Sequence, residues 1–168
     1  MIYLGVDPGV SGGLAAILPD GSALASKMPK EPSDILDWLL DVDSRAGSDE
    51  VFAILEQVTG YIPRPERKHM AHQGQPGHSM FSFGTSYGWS EMALISVCGT
   101  RYKKLVPRSW QSKVGAPARP KETSKEGYKR LLKEYAQSLF PQLTVTLATA
   151  DALLLARCAE ILHSRKKV

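Results

Sequence analysis

Two carboxylates in this chain stand where an enzyme would place them. Asp7 closes the apolar run Ile2-Tyr3-Leu4-Gly5-Val6 and Glu56 closes Val51-Phe52-Ala53-Ile54-Leu55, each acid following five residues that read as a buried strand. A third acid, Asp151, opens the helical stretch Ala150-Asp151-Ala152-Leu153-Leu154-Leu155-Ala156. Because the ends of neighbouring central strands lie side by side, Asp7 and Glu56 can share one sheet edge, and the first turn of a helix packed there can add Asp151. Hard cations such as Mg²⁺ prefer oxygen donors and keep part of their water, so a few carboxylates on rigid elements suit them without histidine or cysteine. With two ions about 4 Å apart, one prepares a water for attack and the other steadies the leaving oxygen, which is the chemistry of phosphodiester hydrolysis. Each acid also has an ordinary structural use. Asp7 before Pro8-Gly9 can shape a turn, Glu56 can be an exposed strand end, and Asp151 can favour the helix N-terminus through its dipole.

The elements that must hold these acids follow from pattern. After the first strand and a glycine-rich turn to Gly13, Leu14 to Leu18 reads as a second strand, Asp20-Gly21 as a tight turn and Ser22 to Lys27 as a third strand, an antiparallel meander. Ser33, behind Pro32, is the expected N-cap of a helix in which Ile35, Leu36, Leu39 and Leu40 recur at helical spacing, with Asp34, Asp37 and Asp41 on the other side. Gln57 to His78 has no period and is broken by Gly60, Pro63, Pro65, Gly74, Pro76 and Gly77, which predicts a long loop. Ser79 to Val97 reads as a helix stopped by Gly99, Arg101 to Val106 as a strand, and Pro107 as the start of a short turn or helix around Trp110. Gly115 to Lys121 reads as a link. Thr123 and Glu126 have capping-box spacing ahead of an apolar stripe of Tyr128, Leu131, Leu132, Tyr135 and Leu139, with Lys125, Lys129 and Lys133 aligned along the same helix. The last helix is expected from about Thr149 to Ser164.

Bulk properties bound the partners. At 168 residues the chain has the length of one domain, read as 1–168. No apolar run approaches the ~20 residues of a membrane span. The start, MIYLGVDPG, lacks the basic opening of a signal peptide, which predicts an intracellular, cytoplasmic protein. Cys98 and Cys158 stand apart among apolar or small neighbours and read as buried thiols. Residues 1–56 hold three bases and ten acids, a balance of −7, whereas residues 101–134 hold eleven bases and three acids, a balance of +8. A basic face beside an acidic patch suits a metal-dependent enzyme acting on a polyanion, and a solvated lysine-rich surface is the plain alternative.

GVDPGVSGGLA resembles the first-strand signature of the RuvC-type Holliday-junction resolvases, Leu55-Glu56-Gln57 their second acid motif, and Ala150 to Ala156 their terminal helix. Ser79 through Trp110-Gln111 is similar to the phage and chloroplast-type branch of that family. The resemblance covers nearly the whole chain and implies an α/β, ribonuclease H-like fold: a mixed five-stranded sheet, its first three strands antiparallel, flanked by helices. It implies Asp7, Glu56 and Asp151 as ligands of Mg²⁺, with Mn²⁺ as substitute and two ions per site. It further implies a homodimer that binds a four-way DNA junction and nicks two opposed strands, with Ser79 to Val97 as the dimer element and Gly84 and Gly88 permitting close helix approach; packing inside one subunit explains those glycines equally well. Lys113 is the lysine the resemblance sets near the scissile phosphate. One position departs from the family. A fourth Asp, Glu or His is usual about one turn before the last acid, and Leu147 and Ala148 stand there instead. A water or Thr149 can replace that ligand, or the chain is inactivated, or its activity is weakened.

DNA contacts are expected from Arg64, Arg67 and Lys68 in the long loop, and from Lys104, Arg108, Lys113, Arg119, Lys121 and Lys125, with Arg101 and Lys103 beside them. Tyr61 and Met70 are candidates to pack on unstacked bases, His69 and His72 read as solvent-facing, and Trp110 reads as core. Two alternatives share the fold: a noncatalytic or weakened junction-binding protein, and a hybrid-specific ribonuclease. The actin-like and sugar-kinase ATPases open similarly, but they need two related domains, which a chain of this length does not supply.

Overall fold

The computed structural model describes residues 1–45, 47, 50–58 and 77–165, with side chains from residue 81 onward in the last span. The long loop, and with it Tyr61, Arg64, Arg67, Lys68, His69, Met70 and His72, lies outside the described residues.

Five strands form one sheet: β1 (Ile2–Asp7), β2 (Gly13–Ile17), β3 (Ala23–Lys27), β4 (Val51–Glu56) and β5 (Tyr102–Leu105), in the order β3-β2-β1-β4-β5. The first three are an antiparallel meander, and β1–β4 and β4–β5 are parallel. Parallel neighbours need crossovers, supplied by α1 (Pro32–Ser44) and α2 (Gly77–Cys98). Both lie on one face, where Ile2, Leu4, Val6, Leu14 and Leu55 meet Ile35, Leu39, Val42 and Leu94. The other face carries α3 (Pro107–Val114), α4 (Lys125–Leu139) and α5 (Ala150–Ser164), whose buried side chains pack on Ala15, Ile17 and Ile54. β1 is covered on both sides, which is why its sequence is apolar without alternation.

α5 lies directly on β1, and Gly5 permits it. A Cβ at Gly5 would overlap the backbone oxygen of Ala152 and the backbone nitrogen of Ala156, so only the missing side chain lets helix and strand approach backbone to backbone. Ala152 to Ala156, Cys158 and Ala159 are buried, making α5 apolar nearly all round.

Element boundaries fall within a residue or two of those expected, but two caps move. α1 has Glu31 at its N-cap and Pro32 at its first position, because proline's fixed φ and missing N–H suit the first helical turn; Ser33 is already inside and does not cap. α4 is capped by Ser124, whose Oγ accepts from the Gly127 N–H at 3.0 Å, and Thr123 instead offers its carbonyl to Arg119. Leu40 and Leu139 are exposed, since each stands at the margin of its helix's apolar stripe. Both cysteines are buried free thiols. Among the described residues no helix is long and apolar enough to cross a membrane.

Candidate active site

The parallel register between β1 and β4 pairs Val6 with Leu55, which sets Asp7 and Glu56 as the next residues out along the same edge of the sheet. Past Asp7 the chain turns at Gly9, where φ is 106°, a conformation that favours glycine, and Gly12 N–H closes the turn on the Gly9 carbonyl at 2.9 Å. Past Glu56 the pairing with β5 continues, with Gln57 N–H bonded to the Leu105 carbonyl at 2.8 Å. Asp151 joins from the first turn of α5, on the helix that Gly5 admits to β1.

The three acids act on one another. Asp7 is raised from 3.8 to about 8, chiefly by burial, then by the charges of Glu56 and Asp151. Glu56 is raised from 4.5 to about 7 by burial; a hydrogen bond from Trp110 pulls it back and Asp151 pushes it up. Burial likewise raises Asp151. Each keeps some accessible surface, yet enough protein surrounds it that lost hydration leads the list of causes. One cation moderates all three: Lys129 on α4 lowers the values of Asp7, Glu56 and Asp151. Its neighbour Tyr128 ties that part of α4 down, hydrogen-bonding the Pro117 carbonyl at 3.1 Å and Gln111 Oε1 at 3.3 Å while sensing the Asp151 charge.

This arrangement fits a hard divalent cation by donor type. The donors are carboxylate oxygens, gathered where mutual repulsion and lost hydration both call for positive charge. Among the described residues no three Asp, Glu, His or Cys side chains form a ready-made ion cage. Mg²⁺ does not ask for one, since it is commonly held by one or two carboxylates together with water and substrate phosphate.

The remaining expected residues are distributed unequally. Lys113 is half-buried, and its charge is felt by the Cys158 thiol, about two helical turns along α5 from Asp151. Lys104 is paired with Glu91 of α2 at 2.5 Å and lies 5.6 Å from the Tyr87 ring centre, while Glu91 also accepts from Tyr102 Oη at 2.6 Å. Arg108, Lys121 and Lys125 are exposed, and Arg119 is exposed with its guanidinium on the Thr123 carbonyl. Ala148 offers only a methyl group. The Thr149 hydroxyl is buried and engaged, accepting from the Thr146 N–H at 3.0 Å and lying 3.1 Å from the Thr146 hydroxyl.

Two contributors leave no trace in the sequence pattern. Trp110 is core, as expected, but its Nε1–H also donates to Glu56 Oε2 at 2.8 Å. Lys129 reads as one member of a lysine row, and only the packing of α4 turns it toward the acids.

No family model matches the chain, and no curated protein does. Solved structures do. A T. thermophilus RuvC in complex with a Holliday junction substrate aligns with a TM-score of 0.58 at 16% identity, over 98% of this chain and 96% of that one. A further Thermus thermophilus RuvC structure aligns with a TM-score of 0.56 at 16% identity, over 99% and 97% of the two chains. At such identity the likeness speaks for architecture, and what this chain shares with those proteins is the ribonuclease H-like fold, a mixed five-stranded sheet flanked by helices.

Proposed function

We propose that this chain is a metal-dependent endonuclease acting on four-way DNA junctions, a Holliday-junction resolvase that works as a homodimer. The observation that carries the reading is the meeting of Asp7, Glu56 and Asp151 from β1, β4 and α5 at one sheet edge, with Lys129 beside them. A bound pair of Mg²⁺ or Mn²⁺ ions would supply water activation and charge stabilisation at the scissile phosphate. The protein's part is to hold the oxygen donors: Asp7 and Glu56 on paired strands, Asp151 on a helix fixed against them. Lys129, with Lys125 one turn earlier on the same face, brings positive charge to a phosphate at that edge. Arg108, Arg119 and Lys121 extend the basic surface along a DNA backbone, giving binding that is salt-dependent and largely indifferent to sequence.

The dimer reading rests on α2. Phe81, Gly84, Gly88, Trp89, Met92 and Ile95 recur at helical spacing on its exposed side, with Phe81 at 76% and Met92 at 61% exposure. A Cβ at Gly84 or Gly88 would meet nothing within 4 Å, so packing inside this subunit does not account for either glycine among the described residues. A second α2 laid along that strip covers the apolar side chains and uses the glycines for close approach.

A second reading, a junction binder with weakened or no cleavage, is favoured by Ala148 and by the occupied Thr149 hydroxyl, neither of which offers a fourth ligand at the family's usual position. Both readings meet in one assay. Synthetic four-way junctions with end-labelled strands, incubated with Mg²⁺ or Mn²⁺, are expected to show paired nicks in opposed strands, abolished by Asp7→Asn with junction binding retained. Tight junction binding without nicks in either metal would overturn the endonuclease reading and leave the binder, and Ala148→Asp then tests whether a fourth acid restores cutting. Preference for an RNA–DNA hybrid over the junction would move the assignment to a ribonuclease.

A further inference from the structure

We propose that Trp110 is the positioning residue of the acid cluster, its indole N–H fixing one oxygen of Glu56 so that the other is presented to a divalent cation. The inference rests on the metal-dependent reading above and adds a residue to it.

Trp110 has 0% exposure and is among the largest fully buried side chains. Its helix is short and held at both ends, with Pro107 in the first turn and Gly115 closing it at φ 70°. The indole therefore has little freedom, and its Nε1–H points at Glu56 Oε2 from 2.8 Å. An indole N–H only donates, and burying it without an acceptor is costly. Any main-chain carbonyl would meet that need. The acceptor used is instead a carboxylate at the one sheet edge where acids gather. Glu56 Oε1 has no hydrogen-bond partner among the described residues, so one oxygen is engaged and the other is open. A glutamate alone at a strand end loses rotamer freedom when a ligand orders it. The indole does that ordering beforehand. It carries no charge, so unlike a lysine or arginine in the same place it fixes the carboxylate without competing with the cation. Outer hydrogen-bond partners of carboxylate ligands act in this way elsewhere, and their loss typically weakens metal binding about 10–100-fold.

The test uses the metal alone, without DNA, so that its outcome does not depend on cleavage. Trp110→Phe keeps an aromatic ring in the core and deletes the N–H. Calorimetric titration with Mg²⁺ and Mn²⁺ is expected to show affinity lower by about tenfold in the variant, while circular dichroism shows a native fold. In ¹H–¹⁵N spectra the indole signal missing from the variant identifies Trp110 in the natural chain. That signal is expected to move during Mg²⁺ titration and to stay still in Glu56→Gln. A folded variant that binds metal as tightly as the natural chain, or an indole signal unmoved at saturation, would overturn the proposal. Should Trp110→Phe fail to fold, the titration of the natural chain decides alone. Metal binding with a responsive Trp110 but no cut junctions would sink the nuclease reading and leave this inference standing; a natural chain that binds neither metal overturns both.

Discussion

Three acids brought together in a buried cluster should make the metal-free protein weaker as pH rises, and Asp7→Asn should relieve that weakness. In the unfolded chain Asp7 gives up its proton near the ordinary value of 3.8, whereas in the folded chain it keeps it until about 8. Between those values the folded state binds more protons than the unfolded one. Stability from this group is therefore fully present below the unfolded value and is lost as pH climbs through the folded value. At about 1.4 kcal/mol per pH unit, a span of about four units sets a ceiling near 6 kcal/mol for Asp7. Side chains relax and water enters a half-open site, so the loss expected in practice is on the order of 2 kcal/mol. The assay is urea unfolding followed by circular dichroism at pH 5 and pH 8, in chelator and again with excess Mg²⁺. Natural protein in chelator should lose on the order of 2 kcal/mol between the two conditions and recover it with Mg²⁺ at pH 8. Asp7→Asn should be flatter with pH, more stable than the natural chain at pH 8 in chelator, and less responsive to Mg²⁺. Equal stability of the natural chain at both pH values in chelator, or an Asn variant weaker than the natural chain at pH 8, would refute the reasoning.

Other perturbations test separate parts of the structure. Gly5→Ala pushes a methyl into the α5 backbone and should cost about 3 kcal/mol or more, seen as a thermal midpoint about 10 °C lower; an unchanged midpoint would mean that α5 does not lie on β1 as described. Lys129→Met should weaken junction binding and reduce the slope of log K against log salt by about 1, whereas the same change at Lys104, which is paired with Glu91, should alter that slope less; gel-shift titrations over a salt series compare them. Met92→Glu sets a charge on the exposed strip of α2 and should shift the sedimentation coefficient from dimer to monomer, and a variant that stays dimeric would remove α2 from the interface.

What the sequence disclosed was what hydrophobicity and backbone chemistry enforce. A central strand covered on both faces must be apolar throughout, so Ile2 to Val6 and Val51 to Leu55 announced themselves, and the acids closing them stood out against that background. The helices followed from their stripes, and the meander from Asp20-Gly21. What stayed hidden was set by side-chain reach across elements. No periodicity tells that the indole of Trp110 aims its N–H at Glu56, that Glu91 will claim Lys104, or that Lys129 rather than Lys113 will be the cation felt by the acids. The caps illustrate the same limit at short range. Ser33 and Thr123 are sound choices by type, yet Pro32 and the Ser124–Gly127 bond placed the boundaries elsewhere.

The close fit of α5 against β1 also orders events in time. Asp7 belongs to β1 and Asp151 to α5, and their meeting is a contact of long sequence separation, the kind that forms late and slows folding. A nascent chain can build the β-meander and the α1 crossover, but Glu56, Asp151 and the helix that closes over Gly5 are still missing. The acid cluster is thus completed only when α5 docks on β1, so its carboxylates come together late in folding.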